Sequence, residues 1–208
     1  SKPNIRARDA AQNLGLSECE LLASRLGDGV IRLVDDAETI LTQLLLLGEV
    51  MALTRNNECV HERTGIYNNP SFFNQGKMSM GLFVNPDIDL RLFMSHWAFC
   101  FACAEASANG LRKSIQFFDK AGEAVHKVYL TPESNEYAYD LLVKKFQHVQ
   151  QNDMIRVERY AEKALDKSDS EIDWAGFRAA WESLQDTHEF LPMLRKFKVG
   201  REQGFRNI

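Results

Sequence analysis

Residues 113–130 read KSIQFFDKAGEAVHKVYL. Two β-prone runs, 113–118 and 124–130, flank Asp119-Lys120-Ala121-Gly122, a polar stretch ending in glycine that suits a hairpin loop. His126 shares a strand face with Ala124, Val128 and Leu130, which makes it a core histidine. Outward from this hairpin, strand-like runs stand at 50–54, 59–63, 78–84, 88–93 and 97–104, and Val30 to Val34 alternates in the same way. Helical signals bracket them. Residues 5–14 and 17–26 read as short helices joined at Gly15-Leu16, the second opened by a capping box of Ser17 and Glu20. Residues 37–47 and 136–150 read as further helices, the latter with Ala138, Leu141, Leu142 and Phe146 inward. Helices, then an antiparallel meander, then a helix make an α+β fold: a large antiparallel sheet with flanking helices.

The charged stretch 151–171, closing on KSDSE, reads as a linker. Helices begin again at 174–184 and 188–197, and a further turn starts at 200–203, without strands to bury them. Either the chain is a fragment or these helices pack back on the first unit, and the expected organisation is one unit over 1–150, a linker over 151–171, and the opening of a second over 172–208. Unless they dock elsewhere, Trp174, Trp181, Phe190 and Phe197 would be exposed, a patch that invites homodimerisation or disorder.

The chain has 208 residues, 45% of them hydrophobic, enough to bury a sizeable core. Against 29 acidic residues stand 25 Lys and Arg, a net charge of −4 that argues against general nucleic-acid or membrane-surface binding. The longest apolar run, 44–47, is too short to span a bilayer, and no signal-peptide pattern opens the chain, so a cytoplasmic protein is expected. Cys19, Cys59, Cys100 and Cys103 are then free thiols. Cys100 and Cys103 form C-x-x-C, but a spacing of three in a strand sends the side chains to opposite faces. Metalloprotease, P-loop, dinucleotide and serine-hydrolase motifs do not occur. The first two helices have a helix-turn-helix outline, yet Glu18 and Glu20 would face phosphates at the start of the second. A packing hairpin accounts for them better than a DNA-binding module.

Two stretches carry candidate chemistry. In DIDLRLFMSHW, 87–97, Arg91 sits in an apolar run, with Ile88, Leu90 and Leu92 on one face and Asp89, Arg91 and Phe93 on the other. It is either a solvent-face partner of Asp87 or Asp89 or a buried cation. In QDTHEF, 185–190, His188 stands four residues after Leu184 and seven after Trp181, on the apolar face of a predicted helix. It is either a core histidine satisfied by a carbonyl or an axial ligand. A buried guanidinium and an imidazole facing one cavity would suit a haem pocket. His61 belongs to a hairpin edged by Asn56-Asn57 and Thr64-Gly65, and His96 and His148 have no clustered partners.

Four longer strings go further. GEVMALTRNNECVHERTGIY, NPDIDLRLFMSHW, KSIQFFDKAGEAVHKVYLTPES and WESLQDTHEFLPMLRKF closely resemble the HemS/ChuS/PhuS family of cytoplasmic haem-trafficking and haem-degrading proteins. The resemblance implies two similar halves, each a large antiparallel sheet with helices, with haem between them. It implies that His188, in the D-x-H-x-F string, is the axial ligand. Arg91, in D-L-R-L-F, would meet the opposite haem face, Arg201 a propionate, and His61 a secondary or transient haem site. The implied cofactor is haem, and the implied partners are a haem oxygenase or the cytoplasmic side of a haem importer. The family contains haem carriers and haem-degrading, oxygenase-like enzymes, and these residues do not separate the two.

Overall fold

A computed structural model describes residues 5–56, 58–107, 110–161 and 167–208. It divides into two compact units, Ser1–Tyr160 and Ala161–Ile208. The hairpin that opens the sequence argument forms as β8 (Gly110–Asp119) and β9 (Ala124–Leu130), with Ile115 opposite Val128. Asp119 closes its loop by accepting from the backbone N–H groups of Ala121 and Glu123, at 2.9 and 3.0 Å. Gly122 completes it at φ 80°, a conformation that side chains rarely adopt. A Cβ there would also lie 2.3 Å from Ser17 Oγ, because the start of the second helix docks on this loop.

The remaining strands are β1 (Val30–Leu33), β2 (Glu49–Arg55), β3 (Val60–Ile66), β4 (Pro70–Gln75), β5 (Met78–Val84), β6 (Asp89–Phe93) and β7 (Trp97–Ser107). They form two antiparallel sheets rather than one meander: six strands in the order β1-β7-β8-β9-β2-β3, and three in the order β4-β5-β6. Strand β4 was not expected, since Asn68-Asn69-Pro70 reads as a loop. Proline occupies its first position, the place where a strand tolerates a missing N–H.

One face of the large sheet, the inner face of the small sheet, α3 (Ala37–Gln43) and α4 (Glu136–Phe146) enclose the main core. There Ala52, Ile115 and Val128 meet Ile40, Leu44, Leu142 and Phe83. Each of the larger of these side chains contributes about 1.5–3 kcal/mol of burial. On the other face of the large sheet, α1 (Ala7–Leu14) and α2 (Glu18–Ala23) form the expected packing hairpin, turning at left-handed Gly15. The Ser17–Glu20 capping box is complete, and Cys19, Leu22 and Ala23 pack with Val30, Phe101, Cys103 and Phe118. Within the span read as linker, Ile155 and Val157 join this cluster and the Tyr160 hydroxyl donates to Asp119 at 3.0 Å.

Cys100 lies in the main core and Cys103 in the helix-covered one, on opposite sheet faces as their spacing dictates, and all four cysteines are free. His126 is buried, as its strand face requires, with Nε2 2.6 Å from the Tyr67 hydroxyl and Nδ1 3.1 Å from Thr54 Oγ1. Burial depresses its pKa to about 4, so it is a neutral imidazole.

The second unit contains α5 (Trp174–Glu182), α6 (Phe190–Phe197) and α7 (Arg201–Arg206) around Ile172, Phe177, Met193, Leu194 and Val199. The expected exposed aromatic patch is corrected here. Phe177, fully buried, takes Trp174, Trp181 and Phe197 edge-on at 5.6, 5.8 and 5.6 Å, so the four aromatics of that patch are half-buried against the helices' own core.

Candidate functional site

Arg91 lies in the middle of β6 and directly opposite Leu82 of β5. Strand alternation sends Ile88, Leu90 and Leu92 to the core and leaves Asp89, Arg91 and Phe93 outside. Arg91 is therefore exposed, on the solvent face as one of its two readings had it, and is not the buried cation of the other. Its guanidinium makes no ion pair among the described residues, because Asp87 is taken by Arg63 at 2.6 Å. On one side of it stands the Asp89 carboxylate and on the other an apolar row. Phe73, Met80 and Phe93 form that cross-strand row on the same face, with Phe93 70% exposed. The outer face of the small sheet thus carries Arg91 at the edge of an apolar platform.

His188 does not sit on an apolar helix face. Helix α5 stops at Glu182, and Asp186 caps a fresh 3-10 turn, Thr187–Glu189, that leads into α6. The helical spacing from Trp181 and Leu184 was counted across this break. The His188 side chain is 93% exposed, and Asp186 governs its orientation. The backbone N–H of His188 donates to Asp186 Oδ1 at 2.7 Å, and ring Nδ1 meets the same oxygen at 2.5 Å. Those two bonds, the backbone one first, hold the Asp186 carboxyl below its ordinary range. An ionised carboxylate only accepts, so Nδ1 is the donor of this pair and Nε2 is the ring nitrogen left facing outward for a ligand.

Asp186 and Thr187 form one wall of a pocket of about 500 Å³ within the second unit. Trp181, Phe190 and Phe205 line it, with ring centroids 5.1 to 5.6 Å apart, and Arg201 from the first turn of α7 adds a cation. Aromatic wall and guanidinium thus converge here, with the exposed His188 next in sequence to the Asp186–Thr187 wall but not lining the pocket itself, and Arg91 belongs to the other unit. Asp186 and Phe205 were missed from sequence. An aspartate directly before T-H-E-F is a readable N-cap, and Phe205 falls four residues after Arg201.

His61 is exposed on β3, an edge strand of the large sheet, facing Thr54 of β2. Thr64 and Gly65, expected to turn, continue that strand, and Asn57 lies outside the described residues. His61 and Arg63 share a strand face, and no cluster of three His, Cys, Asp or Glu fit to hold a metal occurs among the described residues.

The architecture is an α+β sheet unit followed by a helical unit that holds an oriented imidazole beside an aromatic pocket. The chain belongs to the HemS family: the family model described as haemin-degrading HemS.ChuX domain matches residues 15–146. Hemin transport protein HmuS of Yersinia pestis is 37% identical over 99% of this chain and 58% of its own length. Crystalline holo-PhuS, a heme-binding protein from Pseudomonas aeruginosa, superposes with a TM-score of 0.90 at 44% identity, over 99% of this chain and 59% of PhuS. ChuS, an E. coli heme oxygenase, superposes with a TM-score of 0.80 at 30% identity, over 100% of this chain and 60% of ChuS. The chain thus spans less than two thirds of the length of these relatives.

Proposed function

We propose that this chain binds haem as cargo, taking it after import and passing it to a downstream acceptor in the cytoplasm. The observation that carries the reading is the Asp186–His188 pair. A carboxylate fixes the ring through Nδ1 and turns an exposed Nε2 toward ligand duty, beside an aromatic pocket that holds Arg201. In this reading Nε2 ligates the iron and Arg201 pairs with a propionate. Arg91, permanently protonated at the edge of its apolar platform, is the second cation that contacts the bound group, and His61 is a transient contact. Residues 172–208 then open a second repeat, and an importer or a haem oxygenase is the exchange partner.

A haemin titration followed in the Soret band tests this. A saturable one-to-one shift is expected, abolished in His188→Ala and weakened about 10–100-fold in Asp186→Asn. Binding indifferent to His188 would refute the assignment. The match to a haemin-degrading family and to a heme oxygenase favours a second reading, in which the bound haem is cleaved. Biliverdin formed with an electron donor and catalase present would establish it, and intact haem would leave the carrier reading.

A further inference from the structure

The large sheet carries a second cavity, in the first unit and unconnected with the histidine and arginine assigned above. It is about 430 Å³ in volume and lies between the α1–α2 hairpin and the sheet face beneath it. Its floor is unusual for a sheet centre. Where Ala52, Val128 and Ile115 form an apolar row toward the main core, the next row on the opposite face is Leu53, Lys127 and Gln116. Lys127 and Gln116 are buried, and Lys127 is tied to buried Glu18 of α2 by a short ion pair. A buried ion pair is weak evidence for stability, since apolar residues of the same volume usually do as well, so a polar floor calls for another explanation.

Six cations line the cavity, against three carboxylates. Glu18 holds Lys127, and Glu105 holds Arg25 at 2.6 Å and Arg112 at 3.8 Å. Arg8 pairs with Glu123 at 3.8 Å. Among the described residues Arg6, Arg55 and the third carboxylate, Glu62, make no ion pair, and Arg55 Nε is buried without a hydrogen-bond partner. A buried donor left unmade is destabilising, and a bound acceptor would satisfy it. Between these guanidinia the wall is apolar, from Leu21, Leu53 and Val60. Imidazole, thiol and carboxylate clusters fit for a metal are missing from the lining, and burial raises the one phenol, Tyr129, to about 12.

We propose that this cavity is a binding site for a metal-free amphipathic organic dianion, with two acid groups meeting Arg6 and Arg55 and an apolar body lying along Leu21, Leu53 and Val60. Guanidinium forks match carboxylate and phosphate oxygens two at a time, and the concave apolar wall selects against small inorganic anions.

Isothermal titration of the 208-residue chain with dodecanedioate tests the site. The expected result is saturable binding of one molecule per chain, weakened about tenfold in Arg55→Gln and in Arg6→Gln. Lys77→Gln, at an exposed position away from the cavity, and His188→Ala should leave it unchanged. Dodecanoate should bind more weakly, and inorganic phosphate should not saturate. Absence of binding, or an affinity that ignores both arginines, would overturn the proposal. So would loss of binding in His188→Ala, which would put the anion at the histidine. Phosphate binding as tightly as the diacid would reduce the cavity to a charge trap and overturn the amphipathic class.

Discussion

His126 shows how one side chain writes a pH dependence into the fold. Its imidazole is held neutral between Tyr67 and Thr54, with a pKa near 4 instead of the usual 6.5, because burial penalises the charged form. Above pH 6.5 neither folded nor unfolded chain protonates it, and its contribution to stability is complete. Below that the unfolded chain binds a proton that the folded chain refuses, so stability falls down to about pH 4 and then levels. The loss integrates to about 3 kcal/mol. In urea titrations, the stability advantage of the native chain over His126→Phe should shrink by that order between pH 7 and 4. A constant difference would mean the ring is accessible to protons. His126 was legible because a strand assigns faces by alternation. His188 was less so: its place was not readable, since Asp186 restarts the chain locally and breaks the period that linked it to Trp181.

At the scale of elements, hairpins and capped helices were the readable parts. The β8–β9 pair announced itself through two alternating runs and a glycine-ended loop, and Ser17 with Glu20 marked the start of α2. The order of strands was not readable. Pairing of β1 with β7 and of β2 with β9 joins segments distant in sequence, and local pattern says nothing about which edge a strand will find. Residue type also hid β4, whose Pro70, Asn74 and Gln75 look like loop. Helix α6 ends on Lys198 in the left-handed conformation, φ 57°. That geometry strains any residue with a Cβ and suits glycine at a helix C-terminus. Lys198→Gly is therefore expected to stabilise the second unit by about 0.5–1 kcal/mol, read as a higher denaturation midpoint. An unchanged or lowered midpoint would mean that the lysine side chain makes a compensating contact.

For the molecule as a whole, each of the two compact units packs apolar residues of its own, so the two proposed sites are separable by truncation. The first unit holds both sheets and the anion cavity, while the second holds His188, Arg201 and the aromatic pocket. A chain ended after Tyr160 should keep a cooperative unfolding transition and lose the His188-dependent Soret shift. Non-cooperative melting of that piece would show that the first unit needs the second. The distribution of thiols has a consequence for a protein proposed to handle a redox-active cargo. Cys19, Cys100 and Cys103 are buried, and burial raises the pKa of each far above the ordinary thiol range, so the thiolate that peroxide would attack is scarcely populated. Only Cys59 is exposed, and native iodoacetamide treatment should alkylate that one position. Oxidants released by iron would then mark the rim of the sheet and leave its interior chemically silent, so the fold would outlast the damage done at its surface.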